Sequence, residues 1–394
     1  MIGIVAVGYN RKISLARLLH SICLAETDDQ CDLIVSLDKS DVQDELVEVT
    51  KNCSWPEERK LILAHENRLK LKNHILSCGD LTEKYDAVIV LEDDVVVSKY
   101  FYNYVKEAIR KYSSDQRIAG ISLYSHKTNV EVMRPFHPCE SSSDVFLLQF
   151  PQSWGQCWTR DMWKAFRTWL QNTNDSVFQS DWIPDNIKTW GNQSWLKYQV
   201  AYCIIENKYY VYPYVSLSTN YTEKGTHNDA QQSTMYQVAL QRFSKSYNMF
   251  DFENLIRYDA FFEREDDQAF AKERIFSDKS ICMDLYGYKK NFGDNDLLAS
   301  SQNLDFEIVK ELRLLSRPHE MNLIDGTEGS GIFLYDLKAP QKMKYENKKK
   351  KKNRYAVFEY DLKSYDVIHL IPYGMNTLFT DIKCAIRNKF KRKK

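Results

Sequence analysis

Val88-Ile89-Val90-Leu91-Glu92-Asp93-Asp94-Val95 is the stretch that decides how this chain is read. Val88 to Leu91 are apolar without a break, as in a strand covered on both faces of a parallel sheet. Three carboxylates follow at once. In open α/β sheets, ligands bind at the carboxyl ends of the strands. Three adjacent acids repel one another there unless a cation neutralises them. Hard oxygen donors suit Mg²⁺ or Mn²⁺, ions that would also bridge a diphosphate. Taken alone, the triplet is equally a solvated acidic turn, and its surroundings carry the weight.

Upstream, residues 2–7, 32–37, 60–64 and 87–91 read as apolar strands. Residues 14–24, 41–51 and 69–81 read as helices, with Leu15, Leu18, Leu19 and Ile22 on one face of the first. A helix over 100–112 and a strand over 118–124 follow. This alternation predicts an α/β fold with a mostly parallel central sheet. The first strand runs into Gly8-Tyr9-Asn10-Arg11, where Gly8 would let the backbone approach a ligand and Arg11 is suited to a phosphate or a base. The second ends in Ser36-Leu37-Asp38, a further carboxylate on the same sheet edge. Asp38 would accept a hydrogen bond from a nucleobase or ribose, or else cap a helix. No Gly-x-Gly-x-x-Gly and no Gly-x-x-x-x-Gly-Lys-Ser/Thr occurs, so the dinucleotide and P-loop readings lack their phosphate cradles.

The 394 residues carry 54 basic and 54 acidic side chains, so no net charge draws the molecule toward nucleic acid. Nine cysteines without a Cys-x-x-Cys pair suggest free thiols in a reducing compartment. No leader precedes the first strand and no segment is apolar enough to span a bilayer, which sets the expectation of a cytoplasmic protein. The pattern loosens over 125–230, where the tryptophans Trp154, Trp158, Trp163, Trp169, Trp182, Trp190 and Trp195 gather; such aromatic loops suit a sugar acceptor. The expected organisation is a catalytic domain over 1–245, an accessory α+β region over 246–340, a lysine-rich linker over 341–354 and a C-terminal extension over 355–394. Beyond residue 250 a helix is expected over 307–315 and strands over 332–337 and 356–360. Met375, Leu378, Phe379, Ile382, Ile386 and Phe390 would line one face of a basic terminal helix, suited to the face of an anionic membrane.

The order strand, Tyr9-Asn10-Arg11, strand, Ser36-Leu37-Asp38, helix, strand, Glu92-Asp93-Asp94 resembles GT-A glycosyltransferases. It is most similar to N-acetylglucosaminyltransferase I and bacterial transferases of surface-polysaccharide clusters. Leu71-Lys72-Asn73-His74-Ile75, Ser153-Trp154-Gly155, Gln193-Ser194-Trp195 and Gly225-Thr226-His227 extend the resemblance over roughly residues 1–230. It implies a GT-A, Rossmann-like nucleotide-sugar domain and a metal-dependent, inverting transferase using Mn²⁺ or Mg²⁺ and a UDP-sugar. Asp94 would ligate the metal, with Asp93 and His227 as further contacts. Glu92 and Asp93 would meet the ribose, Asp38 the base, and Gly8, Tyr9, Asn10, Arg11, Lys72, His74 and His227 the rest of the donor. Trp154, Gly155 and Trp195 would face a glycan or lipid-linked acceptor.

The departure lies at the base. An inverting transferase needs a group to take the proton of the acceptor hydroxyl. Relatives carry an acid just before the tryptophan where this chain has Asn192-Gln193-Ser194-Trp195. Asp181, Asp185 and Asp229 lie nearby, and Asp185, in a turn-rich aromatic segment, is the one favoured. Two other classes compete. A nucleotidyltransferase making sugar nucleotides would share the α/β layout and metal site, but its glycine-rich basic loop is poorly matched by Gly8-Tyr9-Asn10-Arg11-Lys12. A catalytically impaired, nucleotide-binding scaffold would explain the missing acid.

Overall fold

The computed structural model describes residues 1–28, 30–221, 235–276 and 278–343, with scattered residues between 360 and 383. The first hundred residues alternate as β1 (Ile2–Gly8), α1 (Lys12–Cys23), β2 (Asp32–Leu37), α2 (Gln43–Lys51), β3 (Lys60–Ala64), α3 (Lys70–Asp80), β4 (Ala87–Glu92) and β5 (Val95–Val97). Next come α4 (Phe101–Tyr112), β6 (Ile118–Ser122), the short pair β7 (Thr128–Asn129) and β8 (Arg134–Pro135), β9 (Val145–Leu148) and β10 (Gln156–Thr159). Helices α5 (Arg160–Asn172), α6 (Asp185–Thr189) and α7 (Trp195–Ile205) lead into β11 (Tyr209–Pro213), β12 (Ser218–Asn220) and β13 (Arg257–Tyr258). The last part holds α8 (Gln268–Glu273), β14 (Ile281–Asp284), β15 (Leu297–Ser300), β16 (Phe306–Arg313), α9 (Met321–Asp325) and β17 (Gly331–Pro340).

Nine strands form one sheet in the order β13-β9-β11-β6-β10-β4-β1-β2-β3. The pairs β1–β2, β1–β4 and β2–β3 are parallel, as are β6–β11 and β9–β13. β10 runs antiparallel between β4 and β6. The expected α/β class and mostly parallel sheet are therefore what the chain adopts. β1 and β4 are buried along almost their whole length, which is why they read as unbroken apolar runs. α1 covers them with the Leu15, Leu18, Leu19 and Ile22 face read from the sequence. The polar residues after β1, β2 and β4 are thereby gathered on one edge.

β13 adds to this sheet from beyond residue 245, and the large core runs on to Phe262. A smaller sheet, β14-β15-β17-β16, has its own core built on Ile281, Met283, Leu297, Leu312 and Leu334. The helix expected over 307–315 is not there: β16 is a strand, paired antiparallel with β17. Ile308 and Leu312 are four apart, a spacing that a helix face and a strand face share. Burial of Leu312 against β17, with Glu307, Val309 and Glu311 outward, decides for the strand. The strand expected over 332–337 lies within β17. Of the one expected over 356–360 only Tyr360 is described, and it is helical, as are the described residues from 368 to 383. Among the described residues no helix is long and apolar enough to cross a membrane.

Candidate functional site

The acids sit where β4 leaves the sheet. Glu92 is the last residue of β4, Asp93 and Asp94 make the turn, and β5 then pairs antiparallel with β12 so that Val95 faces Asn220. Tyr221, one residue on, donates its amide to the Asp94 carbonyl at 2.7 Å. The return of the chain thus closes over the acidic turn.

Arg11 answers the acids from the end of β1. Its guanidinium bonds Asp93 and lies 3.4 Å from the Asp94 carboxylate. The Tyr9 amide also donates to Asp93. Burial nonetheless pushes the Asp93 carboxyl up to about 6, against the pull of Arg11. Glu92 is pushed further, to about 8, by burial and then by the charges of Asp94 and Asp93. The Trp195 side chain opposes this by hydrogen-bonding Glu92. Burial works to lower the pKa of Arg11, but the charges of Asp93 and Asp94 outweigh it and the net direction is upward. Among the described residues Arg11 is thus the cation that faces the three carboxylates.

Asp94 carries the informative atom. Its Oδ1 is buried and has no hydrogen-bond partner among the described residues. A carboxylate oxygen withdrawn from water without a donor is costly, and a hard cation is the ligand that would satisfy it. The residues thus fit a divalent ion at Asp94. Among the described residues no three His, Cys, Asp or Glu side chains form a ready metal cage. His227 and Asp229 lie outside the described residues.

Asp38 is 3% exposed and spends its carboxylate on backbone. Oδ1 accepts from the amides of Lys39 at 2.9 Å and Leu69 at 2.7 Å, and Oδ2 from Lys70 at 3.1 Å. It thereby caps α3, not the helix next in sequence. Lys70 has φ +63, strained for a residue with a side chain, and Asp38 holds that turn. Gly8 does not open space for a ligand at its own Cα: a Cβ there would stand 3.0 Å from Leu37 and 3.3 Å from Leu15. Tyr9 lies under the Arg68 guanidinium, and Asn10 is exposed. His74 is buried, with Nε2 2.8 Å from the Ser36 hydroxyl, and burial pushes its pKa down to about 4. It is a neutral core residue behind the edge. Lys72, in the same helix, reaches the other way and sets its ammonium 3.6 Å above the Tyr198 ring.

Trp154 and Gly155 flank the acids. Gly155, at φ +102, leaves only 3.2 Å between a would-be Cβ and Leu91, the residue before Glu92. The Trp154 ring packs against Tyr124 and Tyr236 at 4.7 and 4.8 Å between centroids. Trp195 is 2% exposed and meets Trp158 edge to face at 5.9 Å, so its bearing on the site runs through Glu92. Asp185 is exposed and ion-paired with Lys188 at 3.2 Å and Lys290 at 2.6 Å; those hydrogen bonds hold its carboxyl below the ordinary value. No described contact joins it to Glu92, Asp93 or Asp94. The sequence reading passed over Tyr198 and Asp175, which bond each other at 2.9 Å beside Lys72. They are 23 residues apart, and no linear pattern pairs them.

No family model matches the chain, and no curated protein does. Solved structures match in part. The S. aureus TarS 1–349 fragment in complex with UDP-GlcNAc is 12% identical over 59% of this chain and 61% of that one, with a TM-score of 0.36. GalNAc-T7 with UDP, GalNAc and Mn²⁺ is 12% identical over 60% of this chain and 47% of that one, also at 0.36. A cytidylyltransferase from Leptospira borgpetersenii is 12% identical over 42% and 63%, at 0.26. The chain spans less than two thirds of each of these, and likenesses of this size assign no activity.

Proposed function

We propose that the chain is a metal-dependent, inverting glycosyltransferase that moves a sugar from a nucleotide donor, with UDP as the expected nucleotide, to a glycan or lipid-linked acceptor of a bacterial surface polysaccharide. The observation that carries this is the buried Asp94 Oδ1, without a partner among the described residues, within an acid triplet at a parallel strand end. The resemblance to GT-A enzymes, with N-acetylglucosaminyltransferase I among them, supports the same reading.

In this reading Asp94, with Asp93 and His227, holds Mn²⁺ or Mg²⁺, which when bound offsets charge on the leaving diphosphate. Arg11 keeps Asp93 fixed and adds positive charge beside the phosphates. The amino end of α1, which follows Arg11, adds the positive end of its dipole. Asp38 sets the start of α3 and, with its remaining lone pair, the base. Lys72 lies on the donor side, and the Trp154–Tyr124–Tyr236 cluster forms an aromatic wall for the acceptor. The helical residues Met375, Leu378, Phe379 and Ile382 are exposed, which suits a peripheral contact with an anionic membrane, tested by liposome flotation with and without residues 373–394.

The deciding measurement is a thermal-shift screen of nucleoside diphosphates with and without Mn²⁺. UDP with Mn²⁺ is expected to raise Tm in proportion to occupancy. Asp94→Asn is expected to fold and to lose the metal-dependent part of that rise. An Asp94→Asn protein with an unchanged Mn²⁺-dependent rise defeats the metal assignment. Release of pyrophosphate in place of nucleoside diphosphate from substrate would favour the nucleotidyltransferase reading.

A further inference from the structure

We infer that Asp175 is the group that takes the proton from the attacking hydroxyl, supplying across space the carboxylate that the sequence lacks at Asn192. The inference rests on the transferase reading above. Asp175 opens a short 3-10 turn, Asp175–Gln179, whose entry is fixed by the Asn174 side chain accepting from the Ser176 amide at 2.9 Å. Its Oδ1 accepts from the Tyr198 hydroxyl at 2.9 Å and its Oδ2 from the Asn192 amide nitrogen at 3.2 Å. Asn192, where relatives place their acid, here turns a donor onto an acid from elsewhere in the chain.

Two links tie Asp175 to the donor edge. Tyr198 lies on α7 three residues after Trp195, on the same helix face, and Trp195 hydrogen-bonds Glu92. Lys72, on the helix that Asp38 anchors, lies over the Tyr198 ring at 3.6 Å. Asp175 is also exposed, so its carboxylate is open to an incoming hydroxyl. Among the described residues it forms no ion pair; Tyr198 and Asn192 are neutral donors that orient it and leave lone pairs free. Asp185, equally exposed, differs in its partners. Two lysines neutralise it, and its lowered pKa makes it a poorer proton acceptor.

The step balances. The acceptor oxygen bonds to the anomeric carbon and gives its proton to Asp175. The bond from that carbon to the phosphate oxygen breaks, and the nucleoside diphosphate leaves with the electron pair. Water can stand in for the acceptor, which gives an assay without knowing the natural one.

The test uses the full chain with Asp175→Asn and Asp185→Asn, Mn²⁺, and a panel of UDP-glucose, UDP-galactose, UDP-N-acetylglucosamine and UDP-N-acetylgalactosamine. Two readouts are taken: the Tm rise with UDP and Mn²⁺, and release of UDP. Asp175→Asn is nearly isosteric at an exposed site and keeps an oxygen acceptor for Tyr198. It is expected to keep the wild-type Tm rise and to lose roughly 100-fold or more of UDP release. Asp185→Asn is expected to keep both. Asp175→Asn releasing UDP within threefold of wild type overturns the inference and leaves the transferase reading intact. So does a loss confined to Asp185→Asn. A wild type that binds UDP with Mn²⁺ yet releases none from any donor also overturns it. A wild type that no nucleotide stabilises brings down the transferase reading itself, by a readout that does not involve Asp175.

Discussion

Replacing Asp38 with alanine tests whether the donor edge is held together by one side chain. The carboxylate is 3% exposed and accepts three backbone amides, those of Lys39, Leu69 and Lys70. The Lys39 bond is local and lies at the end of β2. The other two bridge from β2 to the start of α3, where the amides have no earlier turn to bond. A hydrogen bond to a charged acceptor contributes about 1.5–3 kcal/mol, and loss of a helix cap costs about 0.5–2 kcal/mol. Counting the two bridging bonds as one cap with charged character gives a loss of about 3 kcal/mol. The strained φ of Lys70 adds to this in the direction of unfolding the turn. For a domain of this size each kcal/mol moves Tm by about 2–4 °C, so Asp38→Ala is expected to melt about 6–12 °C below wild type with no ligand present. Asp38→Asn keeps one oxygen acceptor and is expected to fall between the two. Circular dichroism melts at matched concentration measure both. An Asp38→Ala protein melting within 1 °C of wild type would refute the capping role, and with it the claim that Asp38 shapes the edge before any nucleotide arrives.

Acid sensitivity follows from His74 and His126, whose pKa values burial pushes down to about 4 and about 3. Both rings stay neutral in the fold, whereas the unfolded chain takes up protons below about 6.5. At these two rings unfolding therefore binds protons, and the stability they contribute is lost as pH falls from about 6.5 through the folded values, while the raised Asp93 and Glu92 carboxyls act in the opposite sense. His74 alone accounts for about 3 kcal/mol of that loss by pH 4, and urea midpoints of His74→Gln are expected to decline less steeply over the same window. Gly155→Ala places a methyl at φ +102, 3.1 Å from the Ser218 hydroxyl and 3.2 Å from Leu91, and is expected to cost about 1–3 kcal/mol by urea denaturation; an unchanged midpoint speaks against the tight turn beside Glu92.

The parallel half of the fold was legible because its signals are local. Ile4 to Val7 and Val88 to Leu91 are apolar at every position, which a strand covered on both faces requires and a surface helix does not. The edge residues were legible for the same reason: Asp38 and Glu92–Asp94 follow such runs directly, and Arg11 comes four residues after Val7. Their contacts were less so. Asp38 reads equally as a cap or a base reader, and the structure spends it on α3, 31 residues away. His74 and Trp195 carry chemistry in their side chains, yet the packing of α3 and α7 buries both. The strand β16 misread as a helix had no neighbour in the sequence to set its period; β17 set it.

By itself, then, the order of residues determined that β1, β2 and β4 present polar groups at one edge, because continuous apolar burial and abrupt polar ends are properties of short segments. Only the tertiary structure decided which of those groups face one another. It set Arg11 against Asp93, left Asp94 Oδ1 without a partner among the described residues, and brought Asp175 to Tyr198 and Asn192. Those pairings span 17 to 82 residues and depend on helix crossings and on β10 entering antiparallel, relations fixed by packing of the whole core and written in no single stretch of chain.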